Sequence, residues 1–161
     1  MECDKNCSTC QSTCGKVCPI CGSTAIGVET ATVLNLTDTD IKIEDRFYLC
    51  LNGGCHVAYF NDAGVLIEKT EVKVPIWFKS NFFEYIVCYC RNIYLKDIIK
   101  AVFTLENPTK EDIIKFLGKE HIESNCIANN PTSKSCDLLF ENAIEYAKEL
   151  KLKQNEQKDR Q

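Results

Sequence analysis

The sequence has no run of apolar residues near the roughly 18 that a membrane-crossing helix needs. Its opening, "MECDKNCSTCQSTCGK", has no basic stretch followed by an apolar one. No secretory leader is therefore expected, and the chain reads as cytoplasmic. Basic stripes are missing as well. The formal net charge is −4, with 19 Lys and Arg against 23 Asp and Glu. That balance offers nothing to a nucleic-acid backbone, so no nucleic-acid partner is expected. There is no phosphate-binding glycine loop and no internal repeat. Histidine occurs twice, at positions 56 and 121, without an acid–base context. The pattern points away from an enzyme and toward a redox carrier or accessory protein.

Cysteine is abundant instead, with 12 residues in 161. In a reducing compartment that many thiols indicate metal, cluster or redox chemistry more often than disulfides. Disulfides remain the alternative if the chain is exported by another route.

The segments "ATVLNL" (31–36), "RFYLC" (46–50), "HVAYF" (56–60), "VLIEK" (65–69) and "EVKVPIWF" (71–78) are rich in β-branched and aromatic residues and read as strands. Polar turns separate them, and "NDAG" (61–64) reads as a hairpin turn. From residue 92 the apolar period lengthens. Ile93, Leu95, Ile98, Ile99, Val102 and Phe103 fall at helical spacing. Thr109 with Asp112 three residues on starts a second helix, and Gly118 stops it. A last helix follows Cys136, with Leu138, Leu139, Ala143, Ile144, Ala147 and Leu150 on one stripe. The expected fold class is α+β, a small β-rich part followed by a helical part.

The cysteines divide the same way. "CPICG" (18–22) is a C-x₂-C knuckle and "CLNGGC" (50–55) a C-x₄-C pair. Zinc takes four thiolates, or three and an imidazole, in a tetrahedron. Two chelating loops joined by a hairpin supply that arrangement, which makes Cys18, Cys21, Cys50 and Cys55 a zinc-ribbon pattern. Iron in the same cage, or another fourth ligand, is the alternative. His56 adjoins Cys55, but neighbours along a strand point to opposite faces. It is expected to face solvent or to sit behind the ligands. His121 is expected at the surface.

The helical part carries Cys88, Cys90, Cys126 and Cys136, spaced C-x-C-x₃₅-C-x₉-C. Four thiolates suit a [2Fe–2S] cluster or a zinc ion, and the residues alone leave the two open. Helices expected just after Cys90 and at Cys136 would turn their positive ends toward the site. Cys3, Cys7, Cys10 and Cys14, spaced C-x₃-C-x₂-C-x₃-C, precede both sets. Their inner spacing resembles the cluster loop of radical enzymes that cleave S-adenosylmethionine, without the barrel such enzymes need. They can hold a further metal, a [4Fe–4S] cluster or copper(I), or form a plain polar tail. If helical, they would line one face.

The order "CPIC … YLC-x₄-CHVAYF … VCYC … C-x₉-C" resembles the N-terminal domain of CopZ-type copper chaperones over residues 18–150. The cluster half is similar to bacterioferritin-associated ferredoxin. The resemblance implies zinc at Cys18, Cys21, Cys50 and Cys55, and a [2Fe–2S] cluster at Cys88, Cys90, Cys126 and Cys136. It divides the chain into a cysteine-rich extension (1–17), a β-rich zinc-binding subdomain (18–80), a helical [2Fe–2S]-binding subdomain (81–152) and a polar tail (153–161). The copper-binding C-terminal module of such chaperones is expected to be absent.

The implied function is electron transfer or metal handling, copper included, with a protein redox partner. An accessory or scaffold subunit of a larger enzyme complex, or a cluster assembly or transfer factor that uses the N-terminal cysteines, is the second reading. A protein with zinc at both sites is the third.

Overall fold

Residues 15–158 are described by a computed structural model. Cys3, Cys7, Cys10 and Cys14 lie outside the described residues. Four strands, β1 (Ala25–Val28), β2 (Phe47–Cys50), β3 (Val57–Asn61) and β4 (Leu66–Glu68), form an antiparallel sheet in sequential order. Helix α1 (Thr30–Leu36) joins β1 to β2. A two-stranded hairpin, β5 (Ile86–Cys88) and β6 (Ile93–Tyr94), opens the second half. Helices α2 (Leu95–Thr104), α3 (Lys110–Phe116), α4 (Cys126–Asn129) and α5 (Asp137–Lys158) complete it. The fold is mixed α+β.

Strand alternation sorts β2. Phe47 and Leu49 enter one apolar cluster with Val33, Leu36, Tyr59 and Ile67. Cys50 enters another with Cys18, Ala25, Cys55, Val57 and Phe60, against which Tyr48 packs. A register irregularity between Val57 and Tyr59 puts Val57 and Phe60 on the same, cysteine-bearing side. A bulge has that effect because an extra residue inverts the alternation beyond it. The expected hairpin turn is present at 61–64. Asn61 Oδ1 accepts from Val65 N–H at 2.8 Å, and Gly64 has φ +87°.

Two expected strands are not strands. Residues 31–36 lie in α1, where Thr32, Val33 and Leu36 are buried. Packing of one helical face on the sheet overrides the β preference of Thr and Val. Residues 71–78 run irregularly and end in a 3₁₀ turn at Trp77–Lys79. Val72 and Ile76 fill the sheet core from this segment, and Pro75 has no N–H for a ladder. Strand β1 was not expected. It is four residues long and contains a glycine, too little for a readable alternation.

The helical half packs α2 against α5 around Ile93, Ile98, Val102, Ile113 and Phe140. The expected capping box is present. Asp112 N–H donates to Thr109 Oγ1 at 3.2 Å, and Thr109 N–H to Asp112 Oδ2 at 2.9 Å. Gly118 follows at φ +66°. Helix α2 begins at Leu95 rather than just after Cys90. A turn with Asn92 at φ +49° and strand β6 intervene. Helix α5 continues to Lys158, into the segment read as a polar tail.

The halves meet where α1 and the sheet hold the loop between Cys126 and Cys136. Thr32 Oγ1 bonds Ser133 Oγ at 2.6 Å, and Asn35 Nδ2 donates to Ala128 O at 3.0 Å. The buried Tyr59 hydroxyl donates to Pro131 O at 2.9 Å. Tyr59→Phe leaves that carbonyl buried without a partner. We expect a loss of about 1–3 kcal/mol in denaturant unfolding of the intact protein.

Candidate metal centres

The knuckle at 18–22 is a closed turn. Gly22 N–H donates to Cys18 O, and Cys18 N–H to Ser23 O, each at 2.8 Å. Gly22 takes φ +70°, a conformation that glycine adopts without strain. The opposing loop leaves β2 at Cys50, and Cys55 N–H donates to Asn52 O at 3.1 Å. These turns bring the sulfurs of Cys18, Cys21, Cys50 and Cys55 within 4.8 Å of one another. Cys21 and Cys50 are 3.6 Å apart. A tetrahedron with metal–sulfur bonds of about 2.3 Å has sulfur–sulfur edges of about 3.8 Å.

The backbone N–H groups of Ser23, Asn52 and Val57 favour the thiolate forms of Cys21, Cys50 and Cys55. The Ser23 hydroxyl and N–H pull the exposed Cys21 thiol down to about 6. Burial pushes Cys50 up to about 12 and raises Cys55. A cation bound by the four sulfurs takes them as thiolates and displaces their protons. Neither histidine joins. His56 and His121 are both exposed.

Two residues behind this site were not singled out in the sequence. Lys79 is 8 % exposed, and its Nζ donates to the carbonyls of Asn52 and Cys55. Its charge also favours the Cys50 thiolate. Gly53 lies so close to the 3₁₀ turn that a Cβ there would sit 2.5 Å from Phe78 O. A lysine ending an apolar run and a Gly-Gly pair inside a C-x₄-C loop were the available signals.

The second set comes from three places: β5 and the turn after it (Cys88, Cys90), the first residue of α4 (Cys126), and the residue before α5 (Cys136). The sulfurs of Cys90 and Cys126 are 3.7 Å apart. Cys88 and Cys136 influence one another's acidity. Among the described residues only the first set forms a group of three or more within 4.8 Å, so the second set is the more widely spaced of the two. Cys88 and Cys136 are buried; Cys90 and Cys126 are half-buried.

Donors surround them. Asn125 N–H reaches Cys90 Sγ at 3.2 Å, and Asn130 Nδ2 reaches Cys136 Sγ at 3.4 Å. The N–H groups of Arg91 and Tyr89 favour the thiolate forms of Cys88 and Cys136. The Cys136 thiol, with Arg91 helping, lowers Cys88 to about 6. The same interaction, together with burial, raises Cys136, and burial raises Cys90. Arg91 is fixed by Lys119 O at 3.2 Å and Ser124 Oγ at 2.9 Å. Lys119 Nζ in turn donates to the carbonyls of Arg91 and Asn92, each at 2.7 Å. These bonds close the 119–126 loop over Cys90. The positive helix end expected after Cys90 is displaced by β6. At Cys136 it is present, since Phe140 N–H donates to Cys136 O at 2.9 Å.

A family model described as a zinc binding domain, zf_CopZ, matches residues 15–73. The structure resembles the X-ray structure of the Archaeoglobus fulgidus CopZ N-terminal domain. The TM-score is 0.62 at 26% sequence identity, over 79% of this chain and 96% of that one. No curated protein matches the chain. Residues 15–73 thus form a CopZ-like zinc-binding region, and the chain binds or handles metal. No helix among the described residues is long and apolar enough to cross a membrane.

Proposed function

We propose that the chain is a one-electron carrier in metal handling, with zinc held by Cys18, Cys21, Cys50 and Cys55 and a [2Fe–2S] cluster held by Cys88, Cys90, Cys126 and Cys136. The division into a zinc half (18–80) and a cluster half (81–152) belongs to the same reading. The observation that carries it is the wider spacing of the second set. A single zinc ion would draw all four sulfurs to about 3.8 Å from one another, as the first set nearly is. A more widely spaced set, with Cys90 and Cys126 3.7 Å apart, suits two metal ions that share four thiolates.

When bound, the cluster supplies a site for one electron. The chain's own residues prepare for that charge. Asn125 N–H and the Asn130 amide donate to sulfur, and the Tyr89 and Arg91 N–H groups and the Arg91 cation favour thiolate charge. The buried Cys88 and Cys136 keep one side from water. The half-buried Cys90 and Cys126 face the side from which a protein redox partner exchanges the electron. The zinc site serves structure, because all four of its ligands come from the chain and leave no open position.

Anaerobically purified protein is expected to be reddish-brown, to bleach with dithionite and to give the electron paramagnetic resonance of a reduced [2Fe–2S] cluster. Colourless protein with zinc at both sites would overturn the reading.

A further inference from the structure

Among the described residues, Trp77 Nε1 is the buried side-chain nitrogen or oxygen left without a hydrogen-bond partner. The indole nitrogen can only donate. A buried donor with no acceptor costs about 1–3 kcal/mol, and folded proteins rarely leave one. Its neighbours are otherwise matched. Tyr89 hydroxyl donates to Pro75 O at 2.9 Å and accepts from Trp77 N–H at 3.0 Å. Asn130 Nδ2 is satisfied by Lys134 O at 2.8 Å and by Cys136 Sγ.

The location of this orphan is informative. Trp77 packs on the buried group of Ile86, Tyr89 and Cys136, and Cys126 packs on the same group. Those two cysteines belong to the second set. A cluster held by the second set would bring two further acceptors, its sulfides, to these cysteines. Such a cluster supplies the acceptor that the chain itself does not.

We infer that Trp77 Nε1–H donates to a sulfur of the group held by Cys88, Cys90, Cys126 and Cys136, and so tunes its reduction potential. The inference rests on the [2Fe–2S] reading above. Donation to sulfur stabilises the more negative, reduced state and so raises the potential. Trp77 is a tuning residue and not a ligand.

The chain contains one tryptophan, so ¹⁵N-indole labelling marks this nitrogen alone. In dithionite-reduced, intact labelled protein, electron spin-echo modulation should contain a ¹⁵N coupling that unlabelled protein lacks. Trp77→Phe keeps an aromatic ring but no N–H. It should retain the visible spectrum and shift the potential to a more negative value. A coloured protein with no ¹⁵N coupling overturns the inference and leaves the cluster reading standing. So does a Trp77→Phe variant with an unchanged potential. A wild-type protein without iron and sulfide removes both. If Trp77→Phe fails to fold, the labelled wild-type measurement decides by itself.

Discussion

Cys88→Ser protein purified without oxygen is expected to lose its visible absorption entirely while keeping about one zinc per chain. Cys88 is buried and is held low by the Cys136 thiol and by Arg91. A serine hydroxyl is a hard, weakly acidic donor and a far poorer ligand to a soft-ligand iron–sulfur site than a thiolate. The first set lies on other elements, the knuckle and the β2–β3 loop, and keeps all four sulfurs. Cys18→Ser should do the reverse and lose zinc first. Its colour should survive only at lower temperature, because α1 and Tyr59 anchor the loop that carries Cys126 and Cys136. Visible spectra with zinc analysis of the two variants check both halves of the expectation. Equal loss of colour and zinc in both variants would mean that the sites do not load independently.

Gly53→Ala is expected to destabilise the zinc-loaded protein by about 1–3 kcal/mol and to speed zinc release to a chelator. The added methyl would meet Phe78 O at 2.5 Å, and a backbone oxygen cannot rotate away. The 51–55 loop must then lift and carry the Asn52 and Cys55 carbonyls off Lys79. Gly54→Ala is the control. Its nearest neighbour is Asn52 Oδ1 at 3.5 Å, an ordinary contact. Thermal melts and chelator kinetics of the pair separate a tight approach from a general effect of alanine in the loop. Equal behaviour of the two variants would show that the contact with Phe78 is unimportant.

Much of this was legible before the structure, and for identifiable reasons. Short-range chelating loops show in spacing, so "CPIC" and "CLNGGC" read directly as one site, and the structure joins them. The Thr109–Asp112 box and the Gly118 stop are local chemistry and appear as expected. Residues 31–36 and 71–78 misled because their shapes come from tertiary packing. Val33 and Leu36 are drawn to the sheet core as a helical face, and Pro75 interrupts pairing. The second cysteine set could be grouped from sequence, but dividing it into the near pair Cys88 and Cys90 and the far pair Cys126 and Cys136 missed that Cys90 lies 3.7 Å from Cys126. Which sulfur lies near which depends on a loop held by Tyr59 and Thr32, far away along the chain. Lys79, Arg91 and Trp77 gain their roles from the same long-range contacts. Nothing in the immediate sequence of Arg91 or Trp77 distinguishes them from an ordinary surface cation or a core aromatic.

Iron, acid-labile sulfide and zinc, measured together in protein purified without oxygen, test the central claim most directly. The account predicts about two irons and about two sulfides per chain, with at least one zinc that Cys18→Ser removes and Cys88→Ser leaves in place. Zinc alone, without sulfide and lost in part from each of these variants, would contradict it.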